Sequence, residues 1–121
     1  FKSGDVIFVG DVNVHELEDL FLSSILVSPI FIGSGLRRKI LFAMRKGTPV
    51  VSTTLGARGI PYVQDSRDII LADNAKAFEN GVRNLFLNKE LRKTVSENSR
   101  KLFETEFNFE KLYNIRRKLY E

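Results

Sequence analysis

Short runs of β-branched and aromatic residues alternate along this chain with stretches whose apolar residues recur at helical spacing. That alternation constrains the fold more than any other feature. Parallel strands need long crossovers, and helical patterns between strand-like runs supply them, so the chain reads as α/β with a mostly parallel sheet. VIFV (6–9), ILVSP (25–29), PVVST (49–53) and DIILA (68–72) read as strands, and Pro29 ends the second. Between the first two, VHELEDLFLSS (14–24) carries Leu17, Leu20 and Phe21 at helical spacing with Asn13 as cap. A helix of about Leu36 to Lys46 follows the second run and closes on Gly47, where a left-handed cap is cheap. TLGARGIPYVQDS, between the third and fourth runs, reads as turns. Beyond Asp73 the strands stop. Asp73 or Asn74 caps a helix with Phe78, Val82, Leu85 and Phe86 in its core stripe. A second helix carries Leu91, Val95, Leu102 and Phe103, and a last one Phe109, Leu112, Tyr113, Leu119 and Tyr120.

With 121 residues the chain can bury one core, covering roughly two-thirds of its unfolded surface, but not two. Hydrophobic residues make up 43% and charged residues 28%, which places it among ordinary globular domains. Without cysteine, disulfides and thiolate metal sites are excluded, as suits a reducing cytoplasm. The stretch Leu20 to Ile32, interrupted by three serines and a proline, is too short for a membrane span, so no transmembrane segment is expected. The net charge of +4 is uneven: Arg37, Arg38, Lys39, Arg45 and Lys46 crowd one helix, and Arg116, Arg117 and Lys118 another. A phosphate-sized partner accounts for the first cluster and solvent for the second. Nucleic acid is not expected, because no helix-turn-helix, zinc finger or aromatic RNA-binding signature accompanies the charge. The only histidine, His15, lacks the partners of a metal site and reads as exposed; no metal site is expected.

The loop after ILVSP must lie beyond the carboxyl end of its strand, where open parallel sheets bind ligands. There Gly33 and Gly35 allow close backbone approach, and the following helix aims its free amides at the same spot. Such a corner suits a diphosphate; a G-x-G pair also serves simply to permit a tight turn. On the helical wheel Leu36, Ile40, Ala43 and Met44 share one face, with Leu41 at its margin. Phe42 falls on the other side, between Arg38, Lys39, Arg45 and Lys46. It is either a single aromatic left exposed or covered by a neighbouring segment, or a residue in a ligand-contacting position.

The stretch ILVSPIFIGSGLRRKILFAMRKGTPVVSTTLGARGI (25–60) resembles the donor-binding half of a family 4 (group 1) GT-B glycosyltransferase. The family pattern runs close to V-x-P-x-x-x-G-S-G-x-R-x-K-I-L-E-A-M-A-x-G-x-P-V-V-S-T-x-x-G-A-E-G, and the tail after Asp68 continues the likeness. The resemblance implies a Rossmann-like three-layer α/β/α domain closing with C-terminal helices, here incomplete, over residues 1–121. It implies transfer of a sugar from a nucleoside diphosphate sugar to an acceptor, with retention, in the cytoplasm or at the membrane periphery, as in polysaccharide biosynthesis. The nucleoside diphosphate sugar is a substrate, so no separate cofactor is implied. Gly33, Ser34 and Gly35 match the diphosphate loop. Arg37 and Lys39 match the R-x-K, where a cation offsets charge on the leaving group; solvated helix charges are the plainer reading of both. The slot held by Phe42 usually carries a glutamate that accepts hydrogen bonds from the donor's ribose, which phenylalanine cannot do. Ser34 stands where many members have a partner glutamate, and Arg58 where an acidic residue is frequent. Loss of one charge-assisted hydrogen bond costs about 1.5–3 kcal/mol, roughly ten- to hundredfold in affinity.

Two further expectations come from the same comparison. The acceptor pocket and much of the catalytic apparatus belong to an N-terminal domain outside this chain, and the chain, opening on Phe1, reads as a piece of a longer protein that is inactive alone. In the order 3-2-1-4-5-6, two strands are missing between VIFV and ILVSP. Either VIFV pairs directly beside ILVSP, or the missing segment or another chain completes the sheet; a homodimer through the exposed edge is one form of this. The rival functional reading is a non-catalytic binding or assembly module, or a degenerate relic, in which the glycine loop is only structural.

Overall fold

The computed structural model describes residues 6–33, 38–107, 114 and 117–119. Helix α1 (Val14–Leu22) leads into strand β1 (Leu26–Ser28), helix α2 (Arg38–Lys46), strand β2 (Val50–Ser52), the short helix α3 (Thr54–Ala57), strand β3 (Ile70–Leu71), helix α4 (Ala75–Leu87) and helix α5 (Lys89–Glu106). The three strands form one parallel sheet in the order β1-β2-β3, with Val27 opposite Val51 and Val51 opposite Ile70. The alternation of strand side chains divides the core into two layers. Val50 and Ile69 join Ile40, Ala43 and Met44 of α2 on one face, where Leu102 and Phe103 from the end of α5 also pack. Val51, Ile70 and Ala72 meet Leu85 of α4 and Val95 of α5 on the other. α5 thus passes from one layer to the other, and the result is the incomplete three-layer α/β/α, Rossmann-like arrangement expected.

Local signals account for most boundaries. Asn13 accepts from the Glu16 amide at 2.9 Å, Asn74 from Ala77 at 2.9 Å and Asn88 from Leu91 at 3.0 Å, so each asparagine satisfies a free amide of its helix. Of the two candidates at the start of α4, Asn74 is the cap. Gly47 has φ +74°, and the bonds from Thr48 N to Ala43 O (2.8 Å) and from Gly47 N to Met44 O (3.1 Å) complete the expected left-handed closure of α2. Gly81 brings α4 onto the sheet: a Cβ there would lie 2.9 Å from Ile70 Cγ2 and 3.2 Å from Val51 Cγ1.

Several expectations are corrected. VIFV is not a strand: residues 6–9 form no ladder, and Ile7 is 81% and Phe8 95% exposed. A strand exists only when paired, and composition does not supply a partner. Leu17 and Leu20 face solvent, and α1 buries no residue. The turn-rich segment after β2 contains α3, begun by Thr53, whose Oγ1 accepts from Gly56 N at 2.9 Å. Phe86 and Leu119, placed on core stripes by spacing, are exposed. Leu36, Phe109, Leu112, Tyr113, Arg116 and Tyr120 lie outside the described residues.

Candidate functional site

Because the strands are parallel, their carboxyl ends share one rim, and the loops after Ser28, Ser52 and Leu71 meet there. The loop after β1 runs through Pro29 and the exposed Phe31 and Ile32 to Gly33, which is itself exposed and has φ +120°, a conformation that favours glycine. Hydrogen bonds lace this loop to its neighbour. Thr53 N donates to Ser28 O at 3.3 Å, and Thr53 Oγ1 donates to Ile30 O. A Cβ at position 56 would overlap Ser52 Oγ, so a larger residue there would have to displace that hydroxyl.

The third loop is tied in by Asp73. Its Oδ1 accepts from Thr54 N at 2.8 Å and its Oδ2 from Thr54 Oγ1 at 2.7 Å. These two bonds, the backbone one first, hold the carboxyl below its ordinary value, because both donors stabilise the ionised form. In the sequence Asp73 reads only as a possible helix cap. The signal was present in the Asp73-Asn74 pair, since one helix start uses one cap and leaves the other residue free for a second partner.

Of the expected diphosphate-binding residues, Gly33 is at this rim and Lys39 is exposed in the first turn of α2, while Ser34, Gly35 and Arg37 lie outside the described residues. The structure divides the basic cluster of this helix. Arg38 and Lys39 are in its first turn; Arg45 and Lys46 are in its last, roughly 10 Å further along the axis. At the far end cations suit the negative pole of the helix, and Lys46 also pairs with Glu18 at 3.3 Å.

Phe42 is half-buried. Its ring meets that of Phe21 on α1 edge to face, with centroids 4.9 Å apart, and Lys46 Nζ lies 5.6 Å from its centroid. It also lines a cavity of about 300 Å³ with Arg38, Leu41, Arg45, Phe103 and Phe107. Phe42 is therefore covered by a neighbouring segment of its own chain, which fastens α1 to α2. His15 is exposed on α1, and among the described residues no three histidine, cysteine or carboxylate groups are placed to hold a metal ion. Among the same residues no helix is long and apolar enough to cross a membrane.

Comparison with known proteins gives one result. Residues 2–88 match the family described as "Glycosyl transferases group 1". No curated protein and no solved structure matches the chain. The family match spans most of the sequence, from before α1 to the end of α4, and takes in the whole described parallel sheet with Gly33 at its rim; the chain belongs to the group 1 glycosyltransferases.

Proposed function

We propose that this chain supplies the donor-binding part of a glycosyltransferase that moves a sugar from a nucleoside diphosphate sugar to an acceptor. The position of Gly33 carries the reading: it follows β1 at the rim where all three strands end, and the chain runs from it into α2. In this reading the amides of Gly33, Ser34 and Gly35 receive the diphosphate. The bond between the anomeric carbon and the phosphate oxygen breaks, and Arg37 and Lys39 offset the charge that grows on the departing diphosphate. The acceptor oxygen forms the new bond on the face the old one left, which retains configuration, and its proton leaves to a base or to the departing phosphate. The acceptor pocket belongs to an N-terminal, Rossmann-like domain of the same protein, and residues 1–121 alone turn over no donor. The enzyme works in the cytoplasm, with polysaccharide precursors as its field, and no metal takes part.

The contact between Phe42 and Phe21 favours a second reading. There the ribose-binding carboxylate has been traded for a packing residue, and the chain is a non-catalytic module or relic of the family. Titration with UDP and with GDP of a longer protein that restores the strands preceding this chain, followed by amide NMR at Gly33 and Gly35, separates the two. The donor-site reading expects shifts at both glycines, and Phe42→Glu tightening nucleotide binding about ten- to hundredfold. Silent glycines in both proteins, with the folded spectrum retained, would establish the module instead.

A further inference from the structure

Two consecutive threonines follow β2, the middle strand of the described sheet, and so stand between the loop that leads to Gly33 and the loop that leads to α4. Thr54 serves the second loop, for its amide and its hydroxyl both donate to Asp73. Thr53 serves the first. It is only 1% exposed, and its amide donates to Ser28 O at 3.3 Å. Its hydroxyl has two partners: Oγ1 donates to Ile30 O and accepts from Gly56 N at 2.9 Å. A hydroxyl has one proton to give, and here it goes to the loop after β1.

The chain beyond that bond depends on it. Ile30 N donates to Ser28 O at 3.1 Å, which makes a tight bend directly after β1, and the Thr53 hydroxyl holds the far side of the same residue. Among the described residues, no hydrogen bond holds Phe31 or Ile32. Gly33 therefore lies three residues past the last tie, within about 11 Å of it. Its φ of +120° sets the turn, but the direction in which the turn faces is inherited from Ile30. Amides that receive an anion bind it more tightly when they are aligned beforehand, because ordering a loop on binding is subtracted from the affinity.

We infer that Thr53 is a positioning residue, whose hydroxyl sets the path from Ile30 to Gly33 and keeps that loop in the form that receives the donor's diphosphate. The path of the loop stands on the bonds alone; its effect on the diphosphate rests on the donor-site reading. Valine at this position has nearly the shape of threonine but leaves Ile30 O and Gly56 N without their partner. Serine keeps both bonds.

Thr53→Val and Thr53→Ser, made in the longer protein that restores the preceding strands, test this by amide NMR at Gly33 and by titration with UDP and with GDP. Thr53→Val should displace the Gly33 resonance and raise the nucleotide dissociation constant at least about tenfold, and Thr53→Ser should bring both back to within about twofold of the wild type. Met44→Ala, a core truncation away from the rim, should lower the melting temperature and move neither readout. In the unsubstituted protein the Thr53 hydroxyl proton should exchange slowly enough to be observed, with a cross-peak to the Gly56 amide. A rapidly exchanging hydroxyl overturns the role of Thr53 whether or not the valine variant folds, and so does a folded valine variant that keeps the wild-type Gly33 resonance and affinity, or a loss that serine does not reverse. A wild type that binds neither nucleotide refutes the donor-site reading and with it the effect on the diphosphate, while a displaced Gly33 in the valine variant still upholds the control of the loop.

Discussion

Helices α1 and α2 are each nine residues long and each is amphipathic, yet α1 buries no residue and α2 buries Ile40, Ala43 and Met44. The difference does not come from the sequence of the helix itself, for α1 is the more apolar of the two and alone has a described asparagine cap. It comes from what stands on either side. α2 is the crossover between β1 and β2, two strands hydrogen-bonded to each other, so its apolar face has a sheet to lie on. α1 follows residues 6–9, which join no sheet, and its contacts with the rest of the molecule include Phe21 against Phe42 and the core layer, Glu18 on Lys46 and the bond from Thr48 Oγ1 to Phe21 O. A helix in an α/β protein is buried by its flanking strands, and among the described residues α1 has only one.

The comparison breaks most visibly under truncation of apolar side chains. Met44→Ala should cost about 2–5 kcal/mol in chemical denaturation, since it leaves a void under a closed layer, while Leu20→Ala, at a half-exposed site, should stay within about 0.5 kcal/mol. Equal losses would mean that α1 is as integrated as α2. Helix caps sharpen the contrast at a smaller scale. Asn88→Ala removes the residue that ends α4 and caps α5, and about 1 kcal/mol of global stability should go with it. Asn13→Ala should instead fray α1 alone, seen as faster amide exchange in residues 16–20 with the melting temperature unchanged.

The smallest effect concerns the rim. The carboxyl of Asp73 is held below its ordinary value of 3.8 by its bonds to Thr54. A lowered native pKa contributes stability above the unfolded value that is lost as pH falls through the native one. The Thr54 amide resonance should therefore hold its position down to the ordinary carboxylate range and move only below it. Asp73→Asn should abolish that acid transition while leaving the packing of α2 untouched; a Thr54 transition at or above pH 3.8 would show that the link is absent in solution.

Legibility in the sequence follows the range of the interaction. The helix face of Ile40, Ala43 and Met44, the cap at Asn13 and the closure at Gly47 could be read because each depends on residues within a turn or two. The placement of Gly33 just past a strand end could be read to the same extent, because it too is a local pattern. The link from Thr53 to Ile30 and the pairing of Asp73 with Thr54 span 23 and 19 residues, and no spacing announces them. The partition of the basic helix was readable in principle, since the rise per residue separates Lys39 from Arg45, but a cluster counted along the chain hides it.

By itself the sequence determined the class of fold, the order of its longer helices, the cap at Asn13, the closure at Gly47 and the placement of Gly33 after β1. These rest on local propensity and periodicity, which need no partner to act. Only the tertiary structure decided that ILVSP becomes a strand while VIFV does not, and that the Phe42 ring packs on Phe21. Each of those outcomes depends on a second surface being present, and the chain's own order of residues does not say which surfaces will meet.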